Sequence, residues 1–114
     1  MERIINIGGK DIPFKATAAT ALRYRQKTGR GFLEDVNELM AALQSPAGMS
    51  GANLDMFLIV AHIMAKQADP SVPADPEEWL DQFDMFSIYE ILPQLVELWG
   101  LSVQTLESDE SKKK

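Results

Sequence analysis

The feature that most constrains this fold is an apolar segment in the middle of the chain. Between about Leu54 and Ala68, apolar residues fall on nearly every side of a helix rather than along one stripe. Such a helix must be covered on most sides, so we expect it to be the central element. A chain of 114 residues has room for one hydrophobic core. Either the other helices wrap this segment completely, or a second subunit buries part of it.

The N-terminal segment is predicted to form a β-hairpin. Ile5 and Ile7 alternate with polar residues, and Ile12 and Phe14 repeat that period of two. Between them, Gly8-Gly9 suits a two-residue type I′ turn, because glycine tolerates positive φ at both positions. An isolated hairpin is marginal in water, so its apolar face is expected to pack on helices.

Two helices are predicted before the central segment. The first is expected from an N-cap at Thr17 to about Thr28, where Gly29 ends it. The second runs from about Phe32 to Leu43 and carries a clear amphipathic stripe.

Two more helices are predicted after the central segment, which itself follows a turn-rich loop at 44–53. Asp75 as N-cap and Pro76 at the first helical position mark the start of a short fourth helix. Ser87 is the predicted N-cap of a fifth helix. Pro93 lies inside the pattern of this fifth helix, so a kink or a break with a restart is expected there.

These segments predict a mainly α fold, in which an N-terminal β-hairpin packs on a compact bundle of about five helices. A single domain is expected over residues 1–106. Residues 107–114 are polar and charged, which is typical of a disordered tail.

Charge is distributed unevenly along the chain, whose net charge is −6. Residues 1–31 carry +5, residues 32–111 carry −14, and the last three lysines carry +3. The acidic body disfavours non-specific binding to nucleic acid. Head-to-tail self-association into a homo-oligomer is predicted instead, in which a basic stripe of Arg23, Lys27 and Arg30 meets the acidic body of the next copy. The alternative is a solvated surface without a partner.

No catalytic, cofactor or metal site is predicted, and the protein is not expected to be an enzyme. The chain has no cysteine, and its one histidine, His62, lies in the apolar third helix without a second histidine at helical spacing. We therefore interpret His62 as a histidine in or beside the core. The acidic residues from Asp75 to Asp84 are explained by helix capping and the helix dipole. The glycine clusters match no phosphate-binding pattern.

Aromatic residues near the C-terminus are predicted to bind a partner. Exposed Trp and Tyr side chains are characteristic anchors in protein interfaces, and a chain of this size has little volume to bury many rings. The alternative is that most of these rings belong to the core. The candidates are Trp79, Phe83, Phe86, Tyr89 and Trp99.

Six segments, in order, carry a family resemblance. They are Ile7–Thr17, Arg23–Arg25, Asp69–Pro70, Glu78–Phe83, Ser87–Pro93 and Glu97–Trp99. None is a chemical signature alone, but in this order, followed by a short lysine-rich end, they resemble the tail assembly chaperones of siphophages and prophages of Gram-positive bacteria. The resemblance spans roughly residues 4–103.

The resemblance implies a non-enzymatic helper of virion assembly. Such a protein binds the tape measure protein, keeps it soluble and promotes polymerisation of the tail tube around it, with the major tail tube protein as a second candidate partner. It would act in the cytoplasm of the bacterial host and be absent from the mature virion. The absence of a signal-peptide pattern and of a membrane-spanning apolar segment agrees with that location.

The resemblance also implies a longer product made by programmed frameshifting, for which the codons of Lys112–Lys114 are the candidate slippery site.

The alternative function is a small phage or bacterial regulator that contacts nucleic acid through the basic first helix, at Arg23, Lys27 and Arg30.

Overall fold

A computed structural model of the protein describes residues 2–46, 48 and 50–98. Two strands precede the helices in this part of the chain, and the predicted mainly helical fold with an N-terminal hairpin is confirmed. The elements are β1 (Glu2–Ile7), β2 (Lys10–Lys15), α1 (Ala18–Thr28), α2 (Phe32–Gln44), α3 (Gly51–Ala68), α4 (Pro76–Leu80), α5 (Ser87–Glu90) and a helix over 92–98, named α6.

The predicted hairpin closes through a two-residue turn at Gly8-Gly9, which leaves Ile7 opposite Lys10. β1 and β2 pair antiparallel with Ile5 opposite Ile12, and the turn glycines Gly8 and Gly9 have φ of 57° and 92°. One face of the hairpin is buried against the helices through Ile5, Ile7 and Phe14.

The central position of α3 is also confirmed. Eight of its residues are buried, and β2, α1, α2 and α4 all lie against it. One copy of the chain therefore covers the apolar helix largely by itself, as in the first of the two predicted arrangements. The buried residues are Met56, Phe57, Val60, Ala61, His62, Ile63, Met64 and Ala65.

The predicted start of α3 at Leu54 is wrong, because the helix begins three residues earlier, at Gly51. Ser50 is the N-cap: its Oγ accepts from the backbone N–H of Asn53 at 3.2 Å, and Asn53 Oδ1 accepts from the backbone N–H of Ser50 at 2.9 Å. This reciprocal pair is a capping box with Asn in the place usually taken by Glu or Gln. Its small polar residues resemble a loop in the sequence.

The helix α1 turns a polar face toward the core. Its predicted cap at Thr17 and its end at Gly29 are confirmed. The buried residues, however, are Thr20 and Tyr24, whereas Leu22 is exposed. Thr20 is fixed by its hydroxyl, which donates to Gln67 Oε1 on α3 at 2.8 Å.

The C-terminal helices break where proline predicts a break. α5 ends at Glu90, and helical structure resumes at residue 92, with Pro93 in the first turn of α6. A proline costs no helical hydrogen bond in that turn, because the first N–H groups of a helix have no intrahelical partner. The predicted N-cap at Ser87 is wrong: Ser87 is the first helical residue, and the N-cap position is Phe86. The predicted fifth helix is thus two helices.

Several predictions fall on residues beyond 98. Trp99, the domain boundary at 106, the charged tail at 107–114 and the terminal lysines lie outside the described residues. Within the described ranges, no helix combines the length and the apolar character needed to cross a membrane.

Candidate partner-binding surfaces

The predicted aromatic anchors divide between the core and the surface. Trp79 on α4 is 1% exposed, and its ring makes edge contacts with Phe14 of β2 and Phe83 at centroid distances of 6.4 and 5.1 Å. Trp79 is therefore a core residue that offers no surface to a partner. Phe83 and Tyr89 are half-buried, and the ring of Tyr89 lies 6.4 Å from that of Phe57 on α3.

Phe86 is the predicted anchor that does lie at the surface. Its side chain is 70% exposed, and the neighbouring Met85 is 76% exposed. Among the residues that the structure describes, these are the two most exposed large apolar side chains. We call Met85 and Phe86 the apolar ridge; Met85 was not among the predicted site residues.

The apolar ridge stands on an ordered stretch of backbone between α4 and α5. The N–H of Phe83 donates to the carbonyl of Leu80 at 3.0 Å, and the N–H of Ser87 donates to that of Asp84 at 3.2 Å. The half-buried rings of Phe83 and Tyr89 hold both ends of the segment on the core. The two apolar side chains thus stand on backbone that is already fixed, an arrangement that would lower the entropic cost of binding a partner there.

Within the predicted basic stripe, Arg30 is paired inside the molecule, although its side chain stays mostly exposed. Its Nε and Nη2 donate to the two carboxylate oxygens of Asp35, each at 2.9 Å, and Nη2 lies 3.6 Å from Glu38. Tyr24 donates its hydroxyl to the same carboxylate at 2.5 Å. These contacts join α1 to α2 around a buried acid.

Electrostatics fix the protonation states in this cluster. The Arg30 hydrogen bonds hold the pKa of Asp35 below its usual range, although burial opposes them. The hydrogen bonds to Asp35 also raise the pKa of Arg30. The pKa of Tyr24 is raised mainly by burial and, to a smaller extent, by its hydrogen bond to Asp35. Asp35 is therefore a bound carboxylate and Tyr24 a neutral phenol at neutral pH. The cluster borders a cavity of about 470 Å³ between α1, α2 and α3. Because Asp35 and Arg30 are already paired with each other, neither offers an unpaired charge to a ligand in that cavity.

Arg23 and Lys27, the other two members of the stripe, lie exposed on α1. They line a pocket of about 190 Å³ together with Lys66 of α3, which the sequence analysis did not select. The Lys66 ammonium donates to the carbonyl oxygens of Val72 at 2.8 Å and Pro70 at 3.3 Å. Three cations from two helices, Arg23, Lys27 and Lys66, thus line one small pocket, which we call the cationic pocket.

The interpretation of His62 as a core histidine is confirmed, since the residue is 2% exposed. Its Nε2 lies 2.7 Å from the carbonyl oxygen of Pro73, and its ring centroid lies 5.8 Å from that of Trp79. Burial lowers the pKa of His62 and Lys27 and Lys66 lower it further, whereas the hydrogen bond to the Pro73 carbonyl and the charge of Asp75 oppose the shift. The neutral imidazole then donates from Nε2, which leaves Nδ1 as a buried acceptor without a hydrogen-bond partner in the described structure. Over the same residues, no group of three His, Cys, Asp or Glu is arranged to hold a metal ion.

Comparison of the chain with protein-family models, with curated proteins and with solved structures finds no match. The candidate binding surfaces of this chain are the apolar ridge and the cationic pocket.

Proposed function

We propose that this protein is a phage tail assembly chaperone that binds the tape measure protein, keeps it soluble and promotes tail tube polymerisation around it. The ordered series of sequence segments supports the family, and the exposed apolar ridge of Met85 and Phe86 is the observation that supports binding. On this proposal the protein acts in the cytoplasm of the bacterial host and is absent from the mature virion.

The chemistry of the ridge suits a client with repeated apolar segments. The Phe86 ring offers a rigid apolar surface, and the flexible thioether of Met85 adapts to differently shaped neighbours. Full burial of one such side chain in a client contributes about 1.5–3 kcal/mol to the free energy of binding. Asp84 and Glu90, which are exposed beside the ridge, favour client segments that carry Lys or Arg next to their apolar residues.

The test is co-expression of the full chain with the tape measure protein encoded in the same genome. We expect the soluble fraction of the tape measure protein to rise with the wild-type chain and to fall back with the double variant Met85→Ala, Phe86→Ala. The matched control is the double variant Ile4→Ala, Leu22→Ala, which removes two exposed apolar side chains elsewhere and is expected to behave as wild type.

The outcomes separate the function from the site. A tape measure protein that is equally insoluble with and without this chain contradicts the chaperone proposal. Wild-type solubilisation that survives in the double variant contradicts the ridge as its site and leaves the chaperone proposal standing.

A second candidate function is a regulator that binds nucleic acid, and the cations Arg23, Lys27 and Lys66 at one pocket favour it. Phosphate contacts through these side chains predict DNA binding that weakens steeply with salt. Binding that disappears in the double variant Arg23→Ala, Lys27→Ala would support this alternative. Arg30, the third cation of the predicted basic stripe, is already paired with Asp35.

A further inference from the structure

The pocket between α1 and α3 is a local positive site on an acidic protein. Arg23 and Lys27 lie one helical turn apart on α1, and Lys66 faces them from α3. Neither α1 cation forms an ion pair with any residue that the structure describes. The carbonyl groups of Pro70 and Val72 hold the Lys66 ammonium in place without neutralising its charge.

An acidic patch adjoins this pocket. Ala74 belongs to the pocket lining, and the next residue, Asp75, leads directly into α4, where Glu77 and Glu78 are exposed. The short helix is fixed in this position because Trp79 packs against His62 in the pocket wall. Asp75 therefore adjoins the pocket, close enough to act on the charge of His62 in its wall, and the exposed Glu77 and Glu78 follow within the next turn of backbone.

The neighbouring patches do not neutralise each other within one molecule. No ion pair among the described residues joins Asp75, Glu77 or Glu78 to the cations of the pocket. Complementary patches that lie side by side satisfy each other in a contact with two-fold symmetry, because each copy then presents its acids to the cations of the other. Complementary patches on opposite ends would instead give open head-to-tail chains.

We propose that the cationic pocket and α4 form a two-fold interface between two copies of this chain, with Glu77 and Glu78 of each copy bound by Arg23, Lys27 and Lys66 of the other. This interface replaces the predicted head-to-tail contact, excludes Arg30 and includes Lys66. It is independent of the client proposed above, because the apolar ridge takes no part in it.

The test measures the molar mass of the full chain by sedimentation equilibrium over a range of protein and salt concentrations. We expect a dimer that weakens as salt rises. The single variants Lys27→Glu and Glu78→Lys should each weaken the dimer by about tenfold or more, because every reversal acts twice in a two-fold contact. An equimolar mixture of the two variants should restore it, since each altered charge then meets its opposite.

Two matched controls make the same charge changes outside the proposed interface. The controls are Arg25→Glu and Glu90→Lys. Arg25 lies on α1 and Glu90 at the end of α5, and both side chains are exposed and lie outside the pocket lining. Both controls are expected to dimerise as wild type does.

Four results would overturn the proposal. They are a chain that stays monomeric under all conditions, a dimer whose stability neither charge reversal changes, two weakened variants that do not dimerise again on mixing, and a restored mixture that grows beyond a dimer.

Titration of the wild-type chain with inorganic phosphate tests whether a free anion occupies the pocket instead. The chain has one histidine, so the His62 imidazole resonance reports on the pocket without ambiguity. A saturable phosphate shift from a chain that stays monomeric would assign the pocket to a free anion and also overturn the proposal.

Discussion

The two sides of α3 are held by different kinds of interaction. On the side of the hairpin and α4, rings of Phe14, Trp79 and His62 pack together with one hydrogen bond to the backbone at Pro73. On the side of α1 and α2, polar contacts contribute as well: the Thr20 hydroxyl of α1 donates to Gln67 of α3, and Tyr24 of α1 donates to the buried Asp35 of α2. Apolar contact depends on area and tolerates small shifts, whereas a buried carboxylate needs each of its donors in place. The first side should therefore be sensitive to lost volume and the second to lost donors.

The largest expected effect is on the apolar side. Trp79→Ala removes a fully buried ring between β2 and α3, and we expect it to lower the free energy of unfolding by about 3–5 kcal/mol. Denaturant unfolding followed by circular dichroism measures this change. Trp79→Phe should recover a large part of the loss, and an alanine variant within about 0.5 kcal/mol of wild type would show that Trp79 is not part of the core.

The next effect tests the polar side. Tyr24→Phe keeps the ring but removes the hydroxyl that donates to the buried Asp35, so we expect a loss of about 1–3 kcal/mol in the same measurement. Tyr89→Phe is the matched control, because Tyr89 is only half-buried. Equal losses in both variants would contradict the assigned role of the Tyr24 hydroxyl.

The response to pH separates the two sides further. Burial lowers the folded-state pKa of His62 below its ordinary value of 6.5, so the unfolded chain takes up the proton first. Stability should be fully present above about pH 6.5 and decline as pH falls toward the folded-state pKa. The pKa values of Asp35 and Asp69 are lowered in the folded state, so the stability that these two carboxylates contribute is lost only as pH falls through and below 3.8, their ordinary pKa.

The check is thermal unfolding between about pH 7.5 and 5, compared with the variant His62→Gln, which does not titrate there. The wild-type melting temperature should fall over this range, and that of the variant should stay nearly level. A wild-type curve as flat as that of the variant would contradict the buried neutral imidazole.

The smallest effect on stability is expected at the apolar ridge, which belongs to neither side. Met85→Ala with Phe86→Ala should change the free energy of unfolding by no more than about 0.5 kcal/mol, because both side chains are mostly exposed. A loss as large as that of Trp79→Ala would mean that the ridge supports the fold rather than a partner.

Local sequence signals predicted the hairpin and many helix boundaries, because the determinants lie within a few residues. Gly8-Gly9, Thr17 and Gly29 each fix a turn or a cap by their own conformational preferences. The start of α3 was missed because its capping box uses Asn53 in place of an acidic or Gln side chain. The small, turn-forming residues over 44–53 are typical of a loop in sequence.

The sites were less predictable, because they depend on tertiary contacts. Trp79 and Phe86 are both aromatic residues in short C-terminal elements, yet one is buried and the other exposed. Arg23, Lys27 and Arg30 follow one another at intervals of four and three residues, yet of these three cations the buried Asp35 pairs with Arg30 alone. Lys66 joins the pocket across 39 positions of the chain from Lys27, and no local pattern connects the two.

We propose above that this chain binds a client through the apolar ridge. The most direct test of this proposal is co-purification of the tape measure protein with tagged wild-type chain and with the Met85→Ala, Phe86→Ala variant, after both are shown to be equally stable. We expect the tape measure protein to elute with the wild-type chain and to be lost or strongly reduced with the variant. Equal recovery of the tape measure protein with both chains would contradict it.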